Sequence, residues 1–156
     1  MSKSLARVRN ALETSGVTAR ILEMDGETRT AEQAAQQAGC ALDQIVKSIV
    51  FGGTETGTVR LFLTAGGNRV CDDKAAALAG ERLGRADASL VREATGFAIG
   101  GVSPIGLKCA VPTWLDLRLL DFESVWAAAG TPRHIFRIAP GDLLRISGAQ
   151  SAAFTL

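Results

Sequence analysis

Three groups of residues have the types and spacing to do chemistry. The first is Lys47, in the run Ile45-Val46-Lys47-Ser48-Ile49-Val50-Phe51. Read as a β-strand, this run alternates faces with period 2. Ile45, Lys47, Ile49 and Phe51 then share one face, and Val46, Ser48 and Val50 the other. An ammonium in an apolar stripe must be paired, hydrogen-bonded or open to a wet cavity, because an isolated buried charge is too costly. The other reading is a lysine that carries its head to the strand end. Of the 17 basic residues, 13 are Arg and four are Lys (Lys3, Lys47, Lys74, Lys108). In a chain so biased to arginine, a lysine here points to a compact three-donor charge rather than a planar fork.

The second group is Gly100-Gly101-Val102-Ser103-Pro104-Ile105-Gly106. Glycines let backbone N–H groups approach a ligand closely, as needed to bind a carbonyl oxygen or an oxyanion. The same composition also suits an ordinary tight turn. The third is Gly130-Thr131-Pro132-Arg133-His134, which holds the single histidine. As a strand residue His134 shares a face with Pro132, Phe136 and Ile138. A lone histidine serves as a structural group or as an acid, base or orienting group.

Other schemes fit poorly. A Ser-His-Asp triad would use His134, and no G-x-S-x-G elbow is present. One histidine and three scattered cysteines (Cys40, Cys71, Cys109) give no metal-ligand spacing, so neither metal nor cofactor is expected. Asp72 and Asp73 read as helix-start residues, and Trp114 and Trp126 as core. No G-x-G-x-x-G follows the first strand, which argues against a dinucleotide fold.

The elements that must position these groups follow from periodicity. Leu5, Val8 and Leu12 make a helix stopped at Gly16. Thr18–Met24 is a strand. Thr30 and Gln33 form a capping box for an Ala-rich helix ending at Gly39. The Lys47 strand turns through 52–57 into a strand over 58–64. A short strand at 69–71 precedes a helix capped by Asp72, and Asp87 caps another ended by Gly96. Strands are expected at 97–99, 107–112 and 114–119. A helix starting at Asp121 or Glu123 should carry Val125 and Trp126 to a stop at Gly130. A strand at 133–138, a helical turn at 140–145 and an edge segment at 152–156 finish the chain. The pattern is α+β, a single domain over residues 1–156, with antiparallel or mixed strands and helices packed around them.

Composition sets limits on partners. The chain has 156 residues, 47% hydrophobic and 21% charged, with a net charge of +1. That excludes a disordered chain and a strongly basic DNA-binding protein, so no DNA is expected, but it allows a local patch for one RNA end. No run is apolar enough to span a membrane and no signal core opens the chain. Widely spaced cysteines suit a reducing, cytoplasmic setting.

The ordered set of motifs resembles the YbaK / prolyl-tRNA synthetase-associated editing domain family. It comprises apolar-apolar-Lys-Ser-apolar-apolar-Phe, then Gly100, Pro104 and Gly106 as Gly-x-x-x-Pro-x-Gly, then Gly-Thr-Pro-Arg-His, then Pro140-Gly141-Asp142-Leu143. The similarity runs from the first helix to about Ser147, at the length of a free-standing member. It implies a curved, barrel-like, largely antiparallel mixed sheet with surrounding helices. It also implies trans-editing: metal-independent hydrolysis of the ester joining a wrong amino acid to a tRNA, often tRNA-Pro. The wrong amino acid would be small, of the Ala, Ser or Cys type. The family's lysine maps to Lys47, its loop to Gly100, Gly101, Val102, Ser103 and Pro104, and a histidine of some members to His134. Ser48, Gly106, Thr131 and Pro132 are expected to line the substrate.

The implied partners are the acceptor end of a mischarged tRNA and, further, prolyl-tRNA synthetase or translation factors. Arg7, Arg9, Lys74, Arg82, Arg85 and Arg133 are candidate phosphate contacts. Two alternatives stay open. One is a non-catalytic module for a tRNA acceptor end, adenosine or free amino acid. The other is a hydrolase with Ser48, Ser103 or Cys109 as nucleophile.

Overall fold

In a computed structural model that describes residues 2–156, helices surround two separate open sheets. The first helix, α1 (Lys3–Ser15), begins where the Ser2 hydroxyl accepts the Leu5 N–H at 3.0 Å. It ends at Gly16, whose φ of 73° is the left-handed cap. Its buried residues are Leu5, Val8 and Leu12, the stripe the spacing predicts. Strand β1 (Arg20–Glu23) follows, then α2 (Ala31–Ala38), which has the expected Thr30–Gln33 capping box. Strands β2 (Val46–Gly53) and β3 (Val59–Ala65) form the expected hairpin.

Helix α3 (Asp72–Ala79), strand β4 (Leu83–Arg85) and helix α4 (Ala88–Thr95) come next. They are followed by β5 (Thr113–Asp116), β6 (Val125–Thr131), β7 (His134–Ile138), α5 (Pro140–Ser147) and β8 (Gln150–Ala152). One sheet has the order β1-β7-β6, all antiparallel; the other has the order β4-β2-β3-β5-β8, with β3–β5 and β5–β8 parallel. Among the described residues a single bridge, Ile45 to Trp126, joins them. The architecture is therefore α+β and mixed, but the sheets do not close into a barrel.

Several local expectations are corrected. Residues 121–130 are not a helix: a 3-10 turn ends at Asp121 and β6 follows. The alanines of Val125-Trp126-Ala127-Ala128-Ala129 favour helix, yet Val125, Ala127 and Ala129 are buried in alternation, and Val125 to Ala128 pair with β7. Pairing outweighs propensity here. The 97–99 and 107–112 segments are loop. The 114–119 strand stops at Asp116, whose carboxylate accepts the Arg118 N–H and starts the 3-10 turn. Of 69–71 only Val70 pairs, with Thr155. Cys71, not Asp72, sits at the α3 N-cap, which places Asp72 in the first turn where its charge suits the helix dipole. Strand β4 was not expected: Leu83-Gly84-Arg85 is too short for alternation to show.

The main core joins α1 to the sheets through Val8, Leu61, Leu63, Leu115, Val125 and Phe136. A smaller cluster lies on the other face of the five-stranded sheet. There Phe62 stacks on Trp114 at 5.0 Å and meets the edge of Phe154 at 5.0 Å. Such aromatic pairs add about 0.5–1.5 kcal/mol to area burial.

Glu81 holds the β2–β3 loop. Its carboxylate accepts the N–H groups of Glu55 and Thr56, the Thr56 hydroxyl and Arg60 Nη1. A Cβ on Gly53 would collide with that carboxylate, so a larger residue there would displace Glu81 from the loop. The Thr56 hydroxyl and N–H, with the Glu55 N–H, push the Glu81 carboxyl down to about 2. A carboxyl lowered in the folded state stabilises fully above its ordinary value near 4.3, and that contribution fades as pH falls toward 2. Glu81→Gln should therefore lower the melting temperature at neutral pH. The gap from wild type should shrink between about pH 4.3 and pH 2, and thermal melts across that range check it. A gap independent of pH would refute this role for the charge.

Candidate functional site

A cleft of about 570 Å³ lies along β2 and contains Lys47. Every residue from Ile45 to Phe51 lines it, so residues of both strand faces border one space. The reason is topological: the cleft runs along the edge of β2, not over a face. Its other walls come from α2 and the segment before it (Thr28 to Glu32, and Ala34), Ala86 and Val91, Gly100 and Val102, and Trp126 to Ala128 with Ile135.

Lys47 belongs to the Ile45, Ile49, Phe51 face, as the alternation predicts, and its cross-strand partner is Thr64. It is neither buried nor fully exposed. Its Nζ donates to the Asn68 carbonyl at 2.5 Å, which leaves two N–H donors. Burial draws its pKa below the ordinary lysine value. Arg69 adds to that, while Glu32, Asp116 and Asp43 oppose it.

The Asn68 carbonyl is itself fixed. The Asn68 Nδ2 donates to Asp116 Oδ2 at 2.9 Å, the Ala65 N–H donates to the same oxygen at 3.0 Å, and the Arg118 N–H donates to Oδ1 at 3.0 Å. Asp116 is only 4% exposed, a buried carboxylate satisfied by donors that fold the 65–68 turn onto the end of β5. Asp43 grips the turn from the other side, accepting Gly67 N–H at 2.8 Å and Arg118 Nε at 3.0 Å. Sequence reading missed Asn68 and Asp116. The one available signal was a carboxylate at the end of the apolar run Trp114-Leu115, and the 48-residue separation of Asn68 from Asp116 hides their contact.

The glycine loop reaches the cleft through Gly100 and Val102 only. The Gly101 N–H donates to the Ala98 carbonyl at 3.0 Å and is committed to that turn. A Cβ on Gly101 would come within 3.0 Å of the Thr131 backbone, so this glycine serves packing. Ser103 is fully buried, and its hydroxyl accepts the Ile105 N–H at 3.2 Å. Pro104 is buried behind it. Gly106 faces α1, where Arg7 Nε donates to its carbonyl at 3.1 Å. Among the described residues, no protein acceptor takes the N–H of Gly100 or of Val102, and both residues line the cleft.

His134 lies elsewhere. With Thr131, Pro132, Arg133, Arg9, Glu23, Glu27 and Arg29 it borders a second groove, and Arg29 is common to both spaces. Thr131 Oγ1 accepts the Arg133 N–H at 3.1 Å and sits 2.6 Å from His134 Nδ1. Lys47 and the loop are thus brought together, whereas Thr131, Pro132 and His134 stand beside them. Ser48 lines the cleft, and its buried Oγ has no partner among the described residues.

The arginines divide likewise. Arg7 is spent inside, donating to Gly106 and Thr95 carbonyls and lying 4.9 Å over the Phe97 ring. Arg82 pairs with Asp73, and Lys74 donates to the Thr155 carbonyl. Arg85 borders the cleft, and Arg9 and Arg133 the second groove. Among the described residues no His/Cys/Asp/Glu group has the arrangement to hold a metal ion, and no helix is long and apolar enough to cross a membrane.

The arrangement combines a tethered ammonium, an unpaired backbone donor and apolar walls. Such a site can hold a polar carbonyl compound and stabilise charge developing on its oxygen. Asp116→Asn should unfasten the 65–68 turn at a cost of about 1–3 kcal/mol, as for a buried donor left unsatisfied. Chemical denaturation measures that cost. Unchanged stability would show the carboxylate to be dispensable to the turn.

The chain is similar to several known proteins. The chain is 32% identical to YwhH of Bacillus subtilis over 127 residues, 81% of this chain and 80% of that protein. It is 29% identical over 128 residues to EbsC of Enterococcus faecalis, a proposed Cys-tRNA(Pro)/Cys-tRNA(Cys) deacylase, covering 81% and 77% of the two chains. A crystal structure of a proposed trans-editing enzyme for prolyl-tRNA synthetase superposes with a TM-score of 0.92 at 48% identity. That match covers 100% of this chain and 99% of the other. Residues 25–146 match the aminoacyl-tRNA editing domain, and the chain belongs to that family.

Proposed function

We propose that this protein is a trans-editing deacylase that hydrolyses the ester of a small amino acid, of the Ala, Ser or Cys type, on tRNA-Pro. The observation that carries this reading is Lys47. Its ammonium is tethered to the Asn68 carbonyl on one side and borders an apolar-walled cleft on the other. An aminoacyl ester is already activated, so positioning it beside a water and stabilising the oxyanion is sufficient chemistry.

In this reading the aminoacyl end enters the cleft and water adds to the ester carbonyl. The electron pair moves onto the carbonyl oxygen, where the Val102 N–H and the Lys47 ammonium offset the charge. Collapse expels the ribose oxygen, which takes the proton given up by the attacking water, and releases the free amino acid. Lys47 acts as a cation rather than as a base. Glu32, Asp116 and Asp43 favour its charged form against the pull of burial. His134, in the adjoining groove, orients the tRNA end rather than the reacting carbonyl.

Size selection follows from the walls. Val46, Val50, Ala86, Val91 and Ala127 leave room for a small side chain beside the strand. Editing is needed because a synthetase pocket discriminates one methylene by only about 10–200-fold. The name given to EbsC favours cysteine among the small candidates, and that of the structural relative favours tRNA-Pro.

The test is deacylation of Ala-, Ser-, Cys-, Thr- and Pro-tRNA-Pro, with Ala-tRNA-Ala as control. Lys47→Ala should reduce the rate by about 100-fold or more, the usual effect of deleting one oxyanion donor, and should leave the fold intact by circular dichroism. Full activity of Lys47→Ala would remove Lys47 from the site. Binding of the charged tRNAs without turnover would instead make the protein a recognition module.

A further inference from the structure

The floor of the cleft is an unpaired strand edge. Backbone groups of an antiparallel strand alternate between its two edges. The Gly53 N–H donates across to the Thr58 carbonyl on the β3 side, and the Thr54 N–H donates to the Arg82 carbonyl on the β4 side. The alternation fixes the rest of β2: Lys47, Ile49 and Phe51 turn their backbone groups to β3, and Ser48, Val50 and Gly52 turn theirs the opposite way. On that side β4 pairs only with Phe51–Gly53, and the bridge to β6 is at Ile45. Among the described residues nothing pairs with Ser48 or Val50 along this edge. Both residues line the cleft.

We infer that Ser48 binds the aminoacyl group as a strand residue binds its partner: its carbonyl accepts from the α-ammonium and its N–H donates to the ester carbonyl. The inference rests on the deacylase reading above and names the part of the site that recognises the α-amino ester. In a hydrogen-bonded antiparallel pair one residue exchanges both N–H···O=C bonds with the residue opposite. An aminoacyl ester carries the same donor and acceptor on the same three-atom spacing. The gap is closed by β6 at one end and β4 at the other. Five residues, 46–50, lie between, on the order of 17 Å at strand rise. A longer peptide would run into the flanking strands, whereas a single residue joined to a sugar has its exit over the open side.

Side chains reinforce the choice of Ser48. Its hydroxyl is buried and has no partner among the described residues, so a second polar group of this residue is left unsatisfied. Val50, the other open position, has no such third group. The Lys47 ammonium lies one residue away, bound to Asn68 on the neighbouring turn. Backbone recognition is blind to the side chain, so size selection stays with the apolar walls while the α-amino ester is held the same way for each amino acid.

The experiment uses two non-hydrolysable ligands: 3′-alanylamino-3′-deoxyadenosine, whose amide replaces the ester, and its propionyl counterpart, which lacks the amine. Titrated into isotopically labelled full-length protein, the alanyl ligand should shift the Ser48 amide resonance and slow its hydrogen exchange. The amides of Lys47 and Ile49, which face β3, should change less. The propionyl ligand should bind about 10- to 100-fold more weakly, the range for losing one charge-assisted hydrogen bond. Ser48→Pro deletes the N–H without breaking a β3 ladder bond and should weaken the alanyl ligand at least about tenfold; the wild-type titration stands by itself should that variant not fold. Saturable binding with the Ser48 amide unmoved, or equal affinity for both ligands, would overturn the edge pairing while leaving the deacylase reading to its own assay. Absence of binding together with absence of deacylation would overturn both.

Discussion

The carboxylate of Asp116 ties the site together. It sits at the end of β5, almost wholly buried, and gathers donors from Ala65, Asn68 and Arg118. An unpaired charge at that depth would be untenable, so the 65–68 turn closes onto it. The Asn68 carbonyl is thereby aimed at Lys47. Asp43 adds a second clamp through Gly67 and Arg118. The position of the ammonium is thus set by a network whose members come from β3, β5 and the turn before β2.

A second constraint is where β2 is left unpaired. An edge strand is ordinarily a hazard, since it offers free N–H and C=O groups to any passing chain. Here the open stretch is short, is bounded by β6 and β4, and is roofed by α2 and the Gly100–Val102 segment. Enclosure removes the hazard and leaves a row of oriented backbone dipoles beside a cation. Fixed dipoles in a partly water-excluded space act more strongly than the same groups in solvent. The absence of barrel closure is therefore not incidental: closing the gap at Ser48 and Val50 would erase the cleft.

Helix α1 supports the opposite wall. Arg7 holds the carbonyls of Gly106 and Thr95, and Leu5, Val8 and Leu12 pack into the main core. The glycine loop is consequently a packed object. Gly101 rests on Thr131, Ser103 closes its own turn, and only Gly100 and Val102 touch the cleft. The Thr28 N–H and hydroxyl bind the Pro132 carbonyl at 2.6 and 2.8 Å, linking the segment before α2 to the turn that carries His134. This linkage puts the histidine groove next to the cleft, with Arg29 on the border.

By itself the sequence determined the local elements whose signals lie within a few residues. These are the α1 stripe, the Thr30–Gln33 box, the glycine caps at Gly16, Gly39 and Gly96, and the hairpin around 52–57. It also singled out Lys47, because an ammonium in an alternating apolar run is anomalous whatever surrounds it. Only the tertiary structure decided that Val125–Thr131 is a strand, because its alanines take the conformation their neighbour β7 imposes. Only the tertiary structure separated His134 from Lys47, and only it brought Asp116 to Asn68. Contacts between residues 48 positions apart are set by how sheets and turns meet, and no local pattern records them. The open edge at Ser48 is of the same kind: a strand's sequence specifies its two faces, while pairing partners elsewhere in the chain decide which edge is left free.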